Sequence, residues 1–138
     1  MTTPSQTVGP FFALGLSDVD GGGPVTLRGR VFDGSGEPVA DALVEVWQPD
    51  PPCFARSGTD ASGRWEVRVH PPDPFVNLSV FARGLLDRVV TRLYVADDPF
   101  LATLDPDRRG TLLAEATADG YTLDIHLQGP HETVFFVL

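Results

Sequence analysis

Along residues 75–94 the hydrophobic and polar positions separate onto two faces with a period of two. Val76, Leu78, Val80 and Ala82 make one face, apolar without exception, while Phe75, Asn77, Ser79, Phe81 and Arg83 make a mixed one. A slip of one residue would bury Asn77 and Arg83, so the apolar face pins this strand to a core. The chain then turns through residues 84–89 and returns with Val90, Arg92 and Tyr94 on a shared face. The mixed face must meet water, a ligand or another chain.

The same alternation recurs elsewhere. Residues 25–32 read as a strand with Val25, Leu27 and Val31 inward and Arg28 and Arg30 outward. In residues 42–47, Leu43 and Trp47 take one face and Val44 and Val46 the other. Residues 64–70 put Trp65, Val67 and Val69 inward, opposite Arg64, Glu66, Arg68 and His70. Residues 121–127 place Tyr121, Leu123, Ile125 and Leu127 on the core side, and residues 133–138 close as a strand. Asp33-Gly34-Ser35-Gly36 and Asp60-Ala61-Ser62-Gly63 are turns, residues 49–58 a loop, and residues 105–110 a charged turn. Pro71, Pro72 and Pro74 interrupt any ladder before Phe75. Residues 96–104 have room for one helical turn, and residues 111–116 suit a strand or a short helix. About seven or eight short strands without a long helix predict an all-β sandwich. Residues 1–24 form a separate arm and Gly-rich linker, and residues 25–138 the sandwich. Pro4, Gly9 and Pro10 deny the arm regular structure, yet Val8, Phe11, Phe12 and Leu14 are too apolar for a free tail. It packs on its own domain or on a neighbour.

Composition narrows the partners. The chain has 138 residues, enough for one domain with a real core, and 42% hydrophobic content argues against disorder. A net charge of −9 without any lysine excludes a phosphate-binding surface, hence nucleic acid. The single Cys53 excludes an internal disulfide and suits a reducing compartment. The apolar run at residues 11–16 is too short for a signal core or membrane span, which predicts a cytoplasmic protein without membrane contact.

Candidate chemistry is sparse. His70, His126 and His131 do not share close ligand spacing, and His70 and His126 fall on polar strand faces, where solvated histidines lie. Cys53 lacks a patterned histidine base, and Gly21-Gly22-Gly23 does not open a helix. Arg83 and Arg92 lie on the mixed face. They either clamp a carboxylate or pair with some of the 19 acids.

Several blocks carry a family resemblance: Pro4-Ser5-Gln6-Thr7-Val8-Gly9-Pro10-Phe11, Ala42-Leu43-Val44-Glu45-Val46-Trp47-Gln48, Phe81-Ala82-Arg83-Gly84-Leu85, Thr91-Arg92-Leu93-Tyr94, Asp124-Ile125-His126-Leu127-Gln128-Gly129 and Glu132-Thr133-Val134-Phe135-Phe136. In this order they resemble the intradiol ring-cleavage dioxygenases, and within them the alpha subunits of heteromeric members. The resemblance implies a transthyretin-like β-sandwich paired with a homologous beta subunit in an alpha-beta heteromer, with higher oligomers. It implies Fe(III) held by the beta subunit through two tyrosines and two histidines, and none bound by this chain. The implied substrates are protocatechuate and O2, the product 3-carboxy-cis,cis-muconate. The family's His-x-His ligand strand corresponds here to Phe75-Val76-Asn77, and residues 49–58 and 71–74 lack the ligand tyrosines; Tyr94 and Tyr121 fall elsewhere. No catalytic residue is therefore expected in this chain. By motif, Thr7, Phe11 and Arg83 line the partner's pocket, with Arg92 a second-rank substrate-binding candidate. The chain is shorter than the alpha subunits it resembles. A non-catalytic transthyretin-like binding module, suggested by residues 25–69, and a stand-alone remnant of a subunit are the alternatives.

Overall fold

The computed structural model describes residues 18–137. Two sheets pack face to face. β1 (Val25–Phe32) sits between β4 (Arg64–Val69), antiparallel to it, and β8 (Gly120–Thr122), parallel to it. The two-residue β7 (Glu115–Ala116) lies beyond β8, and β9 (Ile125–His126) continues along β1. The second sheet runs β3 (Pro52–Gly58), β2 (Leu43–Pro49), β5 (Phe75–Phe81), β6 (Val89–Tyr94), antiparallel throughout. The core lies between them. Leu27, Val31, Trp65, Val67 and Val69 come from one sheet and Val44, Val46, Val76, Leu78 and Val80 from the other. These are the positions that alternation places inward, because a strand packed on one side must bury every second residue.

The all-β sandwich agrees with the expected class. Three elements differ from expectation. Residues 49–58 contain β3, an outer strand whose inward side chains Cys53, Ala55 and Ser57 are small and leave a weak hydrophobic signal. Its edge is blunted by Val19, which bridges to Arg56 with 2.9 Å hydrogen bonds in both directions. Residues 121–127 break into two strands on β1 instead of one. At the break the Arg30 N–H donates to the Asp124 carboxylate at 3.0 Å instead of to a backbone carbonyl, and the Leu123 carbonyl packs close over Gly29, where a Cβ would sit 1.8 Å from that oxygen. Among the described residues, the closing strand expected over residues 133–138 reduces to one bridge, Phe136 to Val90. The expected helical turn is a 3-10 turn over Leu101–Thr103. The charged turn that follows contains one turn of helix, α1 (Pro106–Gly110), capped by Asp105, whose carboxylate accepts from the Arg108 N–H at 3.0 Å. Among the described residues no helix is long and apolar enough to cross a membrane.

Candidate functional site

The outer face of the second sheet carries the mixed side chains, and the register sets them in rows. Phe54, Trp47, Asn77 and Arg92 lie side by side across β3, β2, β5 and β6. Arg56, Glu45, Ser79 and Val90 form the next row, in which the Arg56 Nε donates to the Glu45 carboxylate at 2.9 Å. Gly58, Leu43 and Phe81 form a third.

Half of this face is covered by the chain itself. A second apolar cluster of Tyr94, Leu101, Leu112 and Val134, with Phe75, Phe100, Leu104 and Phe136 against it, sits over the β6 side. Arg109 ties the 3-10 turn down through its Nε and Nη2, which donate to the Leu101 and Leu104 carbonyls at 2.9 Å. Thr91 donates to the Val134 carbonyl at 2.8 Å and holds the C-terminal segment. Arg92 lies inside this cluster. Its guanidinium carbon is 4.4 Å from the centroids of both Phe75 and Phe136 and 5.8 Å from that of Phe100, and its Nη1 donates to the Tyr94 hydroxyl at 2.9 Å. Alternation therefore understates Phe75 and Tyr94: Phe75, placed on the mixed face, is half-buried against Tyr94 at 4.9 Å, and Tyr94 is fully buried.

The other half is open. Trp47 is 53% exposed and Phe54 38%, adjacent across β2 and β3, with Arg56 stacked at 5.2 Å on the Phe54 ring. Arg83 lies at the exit of β5, and its guanidinium pairs with Asp41 on the neighbouring loop, both side chains about half exposed. Thr7 and Phe11 lie outside the described residues. The first described residue, Asp18, accepts a hydrogen bond from the Gly58 N–H at 2.9 Å, at the end of the sheet where Leu43 and Phe81 sit. The chain thus enters the sandwich at the same end as Arg83, a proximity that spacing alone does not reveal.

The donor set on this face does not fit a ferric ion. Phe75 stacks on Tyr94 and Asn77 offers only an amide, neither of them a strong ligand for ferric iron. The Tyr94 hydroxyl is taken by Arg92. Among the described residues no group of three or more His, Cys, Asp or Glu is placed to hold a metal ion. Cys53 is buried, and its thiol donates to the Gly21 carbonyl at 3.5 Å.

His126 is not the solvated side chain that its strand face suggests. It stacks on Phe32 with centroids 4.9 Å apart, and His131 meets it edge-on at 6.1 Å. Burial holds its pKa below the ordinary value of 6.5, with His131 adding to the shift and Asp124 opposing it. Asp107, Glu115, Asp124 and His131 share its cleft. The folded state therefore binds fewer protons than the unfolded one just below pH 6.5. Stability is complete above that pH and falls as pH drops through the folded pKa. Urea midpoints at about pH 8 and about pH 5 should differ, and His126→Gln should reduce the difference. An unchanged difference in the variant would assign the slope to other groups.

No family model matches the chain. It is 35% identical over 189 aligned positions to a protocatechuate 3,4-dioxygenase alpha chain of Burkholderia cepacia, covering 97% of this chain and 96% of the relative. The alignment is longer than the 138 residues of the chain, so the relative carries additional segments. A protocatechuate 3,4-dioxygenase beta chain of the same organism is 30% identical over 156 positions, covering 79% of this chain and 66% of the relative. Among solved structures, the dioxygenase domain of a dioxygenase carbohydrate-binding protein fusion from Streptomyces sp. SirexAA-E superposes with a TM-score of 0.58 at 22% identity, covering 94% of this chain and 99% of that one, and shares the fold. Identity is higher and coverage fuller against the alpha chain than against the beta chain. The chain belongs to the intradiol ring-cleavage dioxygenases, in the family of protocatechuate 3,4-dioxygenase alpha chains.

Proposed function

We propose that this chain works as the iron-free subunit of a heteromeric protocatechuate 3,4-dioxygenase, beside a homologous beta chain that holds Fe(III). The observation that carries the reading is the match to an alpha chain over 97% of this chain and 96% of the relative, and Phe75 and Asn77, which the family resemblance sets at the ligand strand, support it. The iron supplies the activation of the bound catecholate toward O2, and the product is 3-carboxy-cis,cis-muconate. This chain supplies surface and charge. The open row of Trp47 and Phe54 faces the beta chain, and residues 1–24 act as an arm that carries Thr7 and Phe11 toward the partner's pocket. Arg83 sits beside the root of that arm and presents a cation for the substrate carboxylate. Arg92 acts from behind, holding the cluster on which that face rests. An anionic protein with one unpaired cysteine suits the cytoplasm, without nucleic acid or membrane as partner.

In the heteromer, Arg83→Ala should raise KM for protocatechuate about tenfold and leave that for catechol nearly unchanged, because only the first carries a carboxylate. Equal effects on both substrates would remove Arg83 from carboxylate recognition. The extra segments in the relative favour one second reading, a remnant that no longer pairs. Co-expression with a beta chain separates the two.

A further inference from the structure

Gly21-Gly22-Gly23, which composition reads as a flexible linker, is packed down on the sandwich. Residues 18–23 run between the outer edges of β3 and β4, one edge from each sheet. On the β3 side, Val19 and Arg56 exchange 2.9 Å backbone hydrogen bonds, and the Asp18 carboxylate accepts from the Gly58 N–H at 2.9 Å. On the β4 side, the Asp20 carboxylate meets the Arg68 guanidinium at 3.0 Å and accepts from the Gly22 N–H at 2.8 Å. Gly21 touches both edges. Its carbonyl accepts from the Cys53 thiol at 3.5 Å, and a Cβ on it would stand 2.3 Å from the Arg68 carbonyl oxygen and 2.7 Å from the Cys53 sulfur. A Cβ on Gly23 would stand 1.9 Å from the Val69 carbonyl oxygen. Close approach to two strand edges, not a need for flexibility, therefore requires glycine at positions 21 and 23.

We infer that residues 18–23 are a latch, with Gly21 as its positioning residue, which fixes where the preceding arm leaves the sandwich and so where it meets the partner chain. The latch is fastened to both sheets, by backbone pairing on one side and by an ion pair on the other. A Gly-rich linker free in solution would let residues 1–17 search a wide volume. A root fixed on β3 removes that search, and association is stronger when less freedom has to be given up. β3 also carries Phe54 of the open aromatic row, so one strand holds both the arm root and part of the face turned to the partner. Delivery of Thr7 and Phe11 to the partner's pocket rests on the dioxygenase reading above; the latch itself does not.

Cys53 is the one thiol in the chain and is buried under Gly21, so its rate of reaction with dithiobis(nitrobenzoate) reports opening of the latch. In the full chain, Gly21→Ala should speed that reaction about tenfold, more than the shift in its urea midpoint accounts for. Arg68→Gln should speed it about threefold, and Arg68→Lys should return it toward the native rate. The Arg68 side chain is exposed, so these two variants keep the test decisive even if Gly21→Ala does not fold. In the heteromer, Gly21→Ala should raise KM for protocatechuate about fivefold with kcat unchanged, and Arg68→Gln should act in the same direction. Equal thiol rates in native and variant chains would overturn the latch. A faster thiol with an unmoved KM would overturn the positioning role. A native heteromer that does not cleave protocatechuate would overturn the dioxygenase reading and the positioning role with it, while the thiol rates would still decide the latch.

Discussion

Arg92→Ala should destabilise this chain by about 2–4 kcal/mol, the largest effect expected of any charged residue in it. Two rings at 4.4 Å from the guanidinium contribute roughly 0.5–2 kcal/mol each when partly shielded from water. The Tyr94 hydroxyl, buried with Arg92 as its one described partner, would lose its donor at a cost of about 1–3 kcal/mol. The damage should spread to the segments that Arg92 joins, since Phe75 belongs to β5, Phe100 precedes the 3-10 turn and Phe136 lies near the C-terminus. Arg92→Lys should recover only part of the loss, because a compact ammonium cannot stack flat between two rings. Denaturant midpoints of the three proteins decide the point. An alanine variant as stable as the native chain would mean that the cluster holds without its cation.

Trp47→Glu should leave the sandwich intact and weaken assembly with the beta chain by about a hundredfold or more. Trp47 is 53% exposed, projects from the outer face of β2, and has Phe54 and Asn77 as register neighbours. Exposed tryptophans beside a second aromatic are the residues on which protein interfaces depend most, with truncations costing about 2–4 kcal/mol. A carboxylate there adds the penalty of burying an unpaired charge. The chain alone should keep its unfolding midpoint, while titration calorimetry or gel filtration with the beta chain should show weaker association. Unchanged assembly would place the partner on another surface.

Much of the sandwich was legible in the sequence because burial on one side writes itself as a period of two. Val76, Leu78, Val80 and Ala82, or Trp65, Val67 and Val69, needed no other information. β3 escaped because its inward residues Cys53, Ala55 and Ser57 are small and its approach holds Pro49, Pro51 and Pro52; pairing with β2 decides its conformation, not its own propensity. The fate of Arg92 was hidden for a different reason. Its cage is assembled from residues 75, 100 and 136, and nothing in local spacing says that these rings converge. The Asp41 partner of Arg83 was likewise a non-local fact. His126 was misplaced because a polar strand face can still be covered, here by Phe32 and His131.

The most direct test of the account is the visible spectrum and iron content of this chain purified alone and after co-expression with a homologous beta chain that keeps its His-x-His strand. Tyrosinate bound to ferric iron is strongly coloured. The account predicts a colourless, iron-free chain that enters a coloured complex able to cleave protocatechuate. Stoichiometric iron and colour in the chain alone would contradict it, because Phe75, Asn77 and the buried Tyr94 could then not be what occupies the ligand face.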